Sequence, residues 1–318
     1  MVLKSKALKL LMLAGLVISL SACGAAEAQK PAEEAAKADA PAQETAAEST
    51  ENALEWDIQP PLGIVKGDYY AIEERFRQGH LGMLEIVKNE DKLVYIEFNE
   101  ITRPNYYERY YQNVPKRLSE YNFSMGDKKG AAWVQSVVAV EQQMLEEQRI
   151  TGEFDTITGA SNSINQSMIP LAEKLEPLLG QPSAKKYYSV AEQLGGGLTG
   201  FVQVVVEDGK IISVRYDEIF ANSPEEIEEP ALKKFYRQSK YESVEYQEPS
   251  RIGFNVQMDA LNAKVVERQD LLDLTGLPST DESGDYASSG FTIRNTAWDN
   301  YLKLAGELLE EMKRDGVL

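Results

Sequence analysis

An internal repeat is the sequence feature that most constrains how this chain can fold. Residues 82–101 align without a gap on residues 200–219. Each copy has an apolar, β-branched stretch, a polar turn and a second such stretch, a pattern typical of a β-hairpin. Asp208-Gly209 is a strong two-residue turn signal, and Glu90-Asp91 stands at the same place in the first copy. A chain that carries one hairpin pattern twice is predicted to fold as two similar units.

The order of segments after each hairpin is also repeated. A Tyr/Lys/Glu-rich stretch, a second helical stretch, a Gly/Ser/Thr loop and a closing amphipathic helix follow in both copies. The predicted helical stretches are 105–121 and 131–149 in the first copy, and 225–241 and 256–269 in the second. We therefore predict an α+β fold of two tandem hairpin-plus-helices units, 58–180 and 181–318.

Both predicted closing helices carry an apolar stripe with spacings of three and four residues, which indicates one buried face. The first stripe is Ile164, Met168, Leu171, Leu175 and Leu178. The second stripe is Trp298, Leu302, Ala305, Leu309 and Met312. We interpret both stripes as core packing.

The N-terminal segment has the pattern of a secretory leader. Three lysines precede or begin an apolar run, 7–20, that is shorter than the ~20 residues of a membrane span. The run ends in Leu20-Ser21-Ala22-Cys23, which is similar to the lipobox of bacterial lipoproteins. The resemblance implies removal of a signal peptide, 1–22, and attachment of lipid to Cys23. We expect a protein anchored to the extracellular face of the cell membrane, and the alternative is an ordinary signal peptide that contains a cysteine.

Residues 23–57 are rich in Ala, Glu, Pro, Gln and Ser and contain almost nothing to bury. Such a composition cannot offset the entropy cost of ordering, so we predict a disordered linker between the lipid anchor and the folded part.

Charge and composition exclude several function classes. The formal net charge is −18, and removal of the three leader lysines makes it −21. A chain this acidic is not expected to bind nucleic acid. Cys23 is the only cysteine and His80 the only histidine, so neither a disulfide nor a multi-histidine metal site is available. Redox chemistry in this chain would therefore belong to a cofactor.

The loop Asp155-Thr156-Ile157-Thr158-Gly159-Ala160-Ser161 is the strongest candidate site. Gly159 and Ala160 are small and would let another molecule approach the backbone closely. Ser161 stands at the predicted start of a helix, where free N–H groups favour an anion such as phosphate. The alternative is that Ser161 or Asn162 simply caps this helix.

This loop resembles the Asp-x-x-(Ser/Thr)-Gly-Ala-(Ser/Thr) motif of FMN-binding domains, such as those found in the sodium-pumping NADH:quinone reductase. In that family a flavin transferase uses FAD and a metal ion to join FMN, through its phosphate, to the last hydroxyl of the motif. The resemblance implies Ser161 as the acceptor, with Asp155, Thr158, Gly159 and Ala160 as the supporting pattern. Serine stands where threonine is usual.

A weaker copy of the motif precedes the second closing helix. Asp285, Ser289, Gly290 and Thr292 follow the pattern, with Phe291 in place of the alanine and one extra residue in the spacing. The resemblance implies Thr292 as a second acceptor, so the chain would carry one or two covalent FMN groups.

The lipobox, linker and two such units together resemble the FMN-binding, pheromone-encoding lipoproteins of Gram-positive bacteria. The resemblance implies an extracellular electron carrier rather than a stand-alone enzyme. Its implied partners are a flavin transferase, a membrane quinone/NADH dehydrogenase system as donor, external acceptors such as ferric iron, and the lipid bilayer through Cys23. The cleaved signal peptide would also release a pheromone. The alternative is a non-redox surface lipoprotein that keeps the FMN-binding fold for binding or structural use.

Two further features are interpreted as structural. The tyrosine cluster Tyr106, Tyr107, Tyr110 and Tyr111 is predicted to pack on a helix face rather than to stack on a flavin. His80 is predicted to be a surface or turn residue ahead of the first hairpin.

Overall fold

A computed structural model describes residues 57–106, 111–248, 252–277 and 296–318. The predicted signal peptide, the lipidation site Cys23 and the linker up to residue 56 lie outside these ranges. Residues Leu54–Leu318 form one compact unit. The boundary between the predicted domains 58–180 and 181–318 falls inside this unit and stays a prediction. We refer to the described residues up to 180 as the first half and to those from 181 as the second half.

Six antiparallel strands form one sheet, in the order β3-β2-β1-β4-β5-β6. With the helices described below, this sheet confirms the predicted α+β class. The strands are β1 (Gly63–Phe76), β2 (His80–Asn89), β3 (Lys92–Ile101), β4 (Lys185–Gly195), β5 (Leu198–Glu207) and β6 (Lys210–Phe220).

Both predicted hairpins are present, as β2–β3 and β5–β6. Glu90 and Asp208 begin the two turns with φ of 53° and 51°. Each hairpin also has a bulge at the same place, because the pairing skips Val94 in β3 and Ile212 in β6. A bulge bends and twists the strand that carries it, so the two hairpins have matching shapes.

Strand β1 joins the two halves and was not predicted from the sequence. Its residues Gly63–Asp68 pair with β4, and its residues Asp68–Phe76 pair with β2. One continuous strand therefore connects the first hairpin to the three strands of the second half.

The predicted second helices are confirmed as α2 (Trp133–Glu147) and α6 (Phe254–Arg268). The predicted second closing helix is α7 (Thr296–Arg314). The first closing helix is continuous but irregular, because Pro170 has no N–H with which to continue the regular hydrogen-bond ladder. It runs through α3 (Ser161–Ser163), a π-helical turn (Ile164–Met168) and α4 (Ile169–Leu175). The remaining short helices are α1 (Gly126–Lys129) and α5 (Val244–Gln247).

The apolar stripes of the closing helices are largely buried. In the first, only Leu178 departs from the prediction, at 54 % exposed. In the second, Trp298, Ala305 and Met312 are fully buried, whereas Leu302 and Leu309 are partly buried. Within the described ranges, no helix combines the length and the apolar character that a membrane span requires.

The predicted helices 105–121 and 225–241 are wrong. Their described residues form 3-10 turns and extended segments, which are bridged to the sheet at Ile101–Pro115 and Ile219–Ser239. Proline explains both errors, because Pro115 and Pro230 cannot donate a helical hydrogen bond and their rings block the preceding turn. The 3-10 turns are Glu120–Phe123, Pro224–Glu226 and Pro230–Phe235.

Helices cover one face of each half, and the opposite faces meet each other. Many even-numbered side chains of the strands, such as Leu84 and Val204, pack with the helices in two large apolar clusters, and the odd-numbered Leu93 and Ile211 join them because the bulges reverse the alternation. Odd-numbered side chains meet between the halves, where the ring of Tyr187 stacks on Tyr69 and Tyr95 at centroid distances of 5.7 and 5.6 Å. The halves thus share an inner layer beneath their outer layers of helices.

This inner layer also contains a charged cluster, which we call the inner cluster: Glu85, Glu97, Arg117, Glu141, Arg215, Asp217 and Glu242. Arg117 Nη1 lies 2.8 Å from Glu141 Oε1, and Arg215 Nη2 lies 3.2 Å from Glu242 Oε1. Five carboxyl groups share two guanidinium groups here. Burial raises the pKa of Asp217 to about 6 and that of Glu242 to about 7, against the opposing charge of Arg215.

The raised pKa of Glu242 predicts how stability changes with pH. The folded state holds this proton more tightly than the unfolded state, so the associated stability is present at acid pH and is lost as pH rises toward 7. Glu242→Gln imitates the protonated form. We expect the variant to match the wild type at pH 5 and to exceed its unfolding free energy by roughly 1–3 kcal/mol at pH 8.

Urea unfolding of both proteins at the two pH values measures this difference, with Glu73→Gln as the control because Glu73 is exposed on β1. A Glu242→Gln protein that is less stable than the wild type at pH 8 contradicts the prediction.

Candidate functional site

The loop 155–161 is fixed against α2 and the segment before it. The side-chain amide of Gln143 donates to the carbonyl of Asp155 at 2.8 Å and accepts from the Asp155 N–H at 2.8 Å. The Thr158 hydroxyl donates to the Lys129 carbonyl at 3.1 Å. The side chains of Asp155 and Thr158 are exposed, so an enzyme acting on the loop can reach it from solvent.

Gly159 and Ala160 are small because the loop packs tightly on the start of α2. Gly159 has φ of 137°, and a Cβ at this position would lie 2.7 Å from the Ala131 carbonyl oxygen. Ala160 is only 2 % exposed. Both residues were predicted to allow close approach by another molecule, but here their closest neighbour is the chain itself.

Ser161 is the first residue of α3 and leaves its hydroxyl available. The N-cap position belongs to Ala160, and no side chain caps this helix. The alternative of Ser161 or Asn162 as a simple capping residue is therefore wrong. Ser161 is half-buried, and its Oγ has no hydrogen-bond partner among the described residues. The hydroxyl thus stands at the first turn of a helical run that continues to Leu175.

An aromatic group lies next to this helix start: Tyr106, Tyr111, Tyr121 and Trp133. Trp133 Nε1 donates to Ser163 Oγ at 2.9 Å, which ties the group to the closing helix two residues after Ser161. Tyr121 is central, with ring centroids 6.3 Å from Trp133 and 5.3 Å from Tyr111. Tyr106 and Tyr111 contact the apolar core, as predicted, but not from a helix face, because the predicted helix 105–121 is absent from the described residues. Tyr107 and Tyr110 lie outside the described residues.

His80 is buried, contrary to the surface position predicted for it. It is the first residue of β2, is 8 % exposed, and its ring lies 5.2 Å from the Tyr106 ring. Burial and the positive charges of Lys116, Arg103 and Arg77 lower its pKa to about 4. Strand alternation could have revealed this, because His80 shares the helix-covered face with Leu84 and Ile86.

A buried ion pair beneath the aromatic group was also missed. Lys116 Nζ lies 2.9 Å from Glu100 Oε1, and their side chains are 7 % and 1 % exposed. The ammonium group of Lys116 also lies 5.0 Å from the Tyr121 ring centroid and 5.2 Å from that of Trp133. The first half therefore brings a free hydroxyl, aromatic rings and a buried ion pair into one region, which we call the candidate site.

The second predicted motif cannot be placed in the same way. Asp285, Ser289, Gly290 and Thr292 all lie outside the described residues, which resume at α7. The prediction of Thr292 as an acceptor stays a prediction.

Comparison with known proteins found no match. No protein-family model matches the chain, and neither does any curated protein or solved structure. Within the part of the chain that the structure describes, no group of three or more His, Cys, Asp or Glu side chains is arranged to hold a metal ion. What the chain does therefore has to be inferred from its own residues.

The tight packing of Gly159 predicts a strong effect of a single methyl group. Gly159→Ala places a Cβ against the Ala131 carbonyl and strains a backbone that L side chains rarely adopt. We expect a loss of about 1–3 kcal/mol in unfolding free energy. Gly180→Ala is the matched control, because nothing lies within 4 Å of its added Cβ. Equal stability of the two variants in urea unfolding would show that the loop does not pack as described.

Because His80 is the only histidine, its titration can be followed directly. We expect its imidazole ¹H NMR signal to titrate with a pKa of about 4 in the folded protein. In the urea-unfolded protein the same signal is expected to titrate near the ordinary value of about 6.5. A folded-state pKa at the ordinary value would place His80 in solvent rather than beneath Tyr106.

Proposed function

We propose that the chain is a membrane-anchored extracellular electron carrier that holds FMN covalently on Ser161. One observation carries the proposal. Ser161 lies in a loop that resembles the flavin-attachment motif, at the start of a helix that no side chain caps, and its hydroxyl bonds no other described residue. The loop around it is held in one conformation by Gln143 and Thr158. A rigid, reachable hydroxyl is what a modifying enzyme requires.

The surroundings of Ser161 suit a phosphoester. Free N–H groups at the first helical turn and the helix dipole stabilise an anion there. Lys128 and Lys129 stand at the end of α1, and the Lys129 carbonyl contacts the loop directly. Tyr106 and Tyr111 are the partly buried rings of the aromatic group, and a flat conjugated ring would pack on these two. The first helical turn and these two rings support the proposal of FMN on this loop.

The attachment reaction requires a transferase and FAD. The Ser161 oxygen forms a bond to the phosphorus of the FMN part, and the pyrophosphate bond of FAD breaks. AMP leaves, and the hydroxyl proton passes to a base of the transferase. Nothing in this exchange oxidises or reduces the protein.

We further propose that the two halves are tandem FMN-binding-type repeats. Matching hydrogen bonds support the duplication. Gln148, after α2, bonds both backbone groups of Leu93, and Gln269, after α6, bonds both backbone groups of Ile211. The bulges at Val94 and Ile212 match in the same way. A second flavin would then be attached to Thr292, the corresponding residue of the second motif in the sequence.

Bound FMN supplies chemistry that no side chain has, because it accepts electrons in pairs and releases them singly. The chain's own part is to hold the phosphate and to shield the ring from water. The lipid on Cys23 and the predicted linker would keep the carrier at the extracellular face of the membrane. It would take electrons from a membrane quinone/NADH dehydrogenase system and pass them to external acceptors such as ferric iron. Its signal peptide would be the source of a pheromone.

One observation favours the alternative, a non-redox surface lipoprotein. A cavity of about 380 Å³ opens between the halves, within the size range of small-molecule sites. Its lining comes from 113–115 in the first half and from Tyr241, Glu242, Val244, Gln247, Glu248 and Asn255 in the second. Under this alternative the chain binds a small polar molecule there and carries no flavin.

Co-expression with a flavin transferase tests the proposal. We expect the full-length chain to show flavin fluorescence on a denaturing gel, and a Ser161-containing peptide to gain the mass of esterified FMN. Ser161→Ala should abolish that peptide's modification, and Ser161→Thr should retain it. Expression without the transferase is the control. A wild-type chain without flavin under these conditions overturns the proposal, and modification confined to Thr292 overturns the choice of Ser161.

A further inference from the structure

One oxygen of the buried Glu100 side chain has no partner. Oε1 accepts from Lys116, but Oε2 has no hydrogen-bond partner among the described residues, and Glu100 is only 1 % exposed. Leaving a buried carboxylate oxygen without a donor is costly, and such atoms in folded proteins call for a specific explanation. The free oxygen therefore indicates a place for a hydrogen-bond donor that the chain itself does not provide.

The second half contains the same ion pair, but there both carboxylate oxygens have hydrogen-bond partners. Glu218 corresponds to Glu100, and Lys240 bonds its Oε2 as Lys116 bonds Glu100. Oε1 of Glu218 accepts from the Tyr216 hydroxyl at 2.6 Å and from Asn300 Nδ2 at 3.1 Å. Phe98 corresponds to Tyr216 and has no hydroxyl. Both oxygens of Glu218 are thus bonded in the second half, whereas one oxygen of Glu100 is unbonded in the first half, which carries the intact motif.

Two other buried polar groups of the first half are also unpartnered. Asn122 Nδ2 and His80 Nδ1 are buried and have no hydrogen-bond partner within the described part of the chain. Lys116 and Trp133 connect Glu100 to the closing helix, because Lys116 lies against the Trp133 ring and Trp133 bonds Ser163. A ligand attached at Ser161 would therefore have the free oxygen of Glu100 and the cation Lys116 in one region.

We propose that Glu100 and Lys116 recognise the polar edge of the flavin ring and set its reduction potential. This inference rests on the proposed function. The pyrimidine edge of a flavin presents one N–H donor between two carbonyl acceptors. Glu100 Oε2 supplies the matching acceptor, and the ammonium group of Lys116, which already bonds Glu100, supplies a donor. Reduction adds negative charge to the ring, so Lys116 stabilises the reduced form and Glu100 opposes it.

Opposite charge changes test the proposal in the flavin-loaded protein. Glu100→Gln removes a negative charge and should raise the midpoint potential, whereas Lys116→Gln removes a positive charge and should lower it. We expect each variant to shift the equilibrium between reduced and oxidised flavin at least tenfold, which is about 30 mV for a two-electron couple. The measurement is a redox titration of flavin absorbance. Glu218→Gln and Lys240→Gln, at the corresponding positions, should leave the potential of the Ser161 flavin unchanged.

A second measurement uses the wild-type chain and so does not depend on the folding of any variant. The transferase is supplied with 3-methyl-FAD, which cannot donate a hydrogen bond from the ring nitrogen. We expect the protein-imposed shift in potential, relative to the free flavin, to differ from that of native FMN. Equal shifts for the two flavins, or variant potentials that do not move in opposite directions, overturn the inference. A wild-type chain that takes up no flavin at all instead overturns the proposed function.

Discussion

The pairing of β1 with both β4 and β2 is the constraint on which the rest of the structure depends. Because one strand hydrogen-bonds to both halves, neither hairpin can move independently of the other. This arrangement turns the odd-numbered faces of the strands toward each other and leaves the even-numbered faces for the helices. The stacked tyrosines and the inner cluster lie between these facing strands as a result. Arg117 is then buried between the two halves and Arg215 is half-buried there, and burial raises the pKa of neighbouring carboxyl groups such as that of Glu242.

The loop connections reinforce this frame on the side of the candidate site. The Glu120 carboxylate accepts hydrogen bonds from the Ser243 hydroxyl and from the backbone N–H of Glu245, so it caps α5 of the other half. Glu120 begins the short turn that presents Tyr121 to Trp133. The aromatic group is therefore supported from the second half, although all of its rings belong to the first. A flavin on Ser161 would lie against a surface whose position is set by both halves.

Short-range sequence patterns predicted the hairpins and most of the helices, because these elements form between residues that are close in the chain. Turn residues and β-branched stretches predicted both hairpins, and apolar spacing predicted α2, α6 and the buried faces of the closing helices. The helices expected at 105–121 and 225–241 failed because Pro115 and Pro230 outweigh a helix-favouring composition. Strand β1 was missed because its pairing with β4 joins residues more than a hundred positions apart.

The motif at 155–161 located the candidate hydroxyl. The Glu100–Lys116 pair could not be found this way, because only the folded chain brings it beneath Trp133.

The two halves have the same order of elements but differ in the hydrogen bonding of their buried carboxylates, Glu100 and Glu218. At a position where both strands are otherwise equivalent, Tyr216 donates to Glu218 while Phe98 leaves Glu100 open. The same asymmetry appears in the motifs, since Ala160 is replaced by the bulky Phe291 in the second copy. A bulky residue beside the acceptor and a saturated carboxylate both disfavour a ligand. An intact motif and an open carboxylate both favour one. Two observations that are independent in sequence therefore agree: under the proposed function the flavin would be held by the first half, and the second half would mainly complete the sheet.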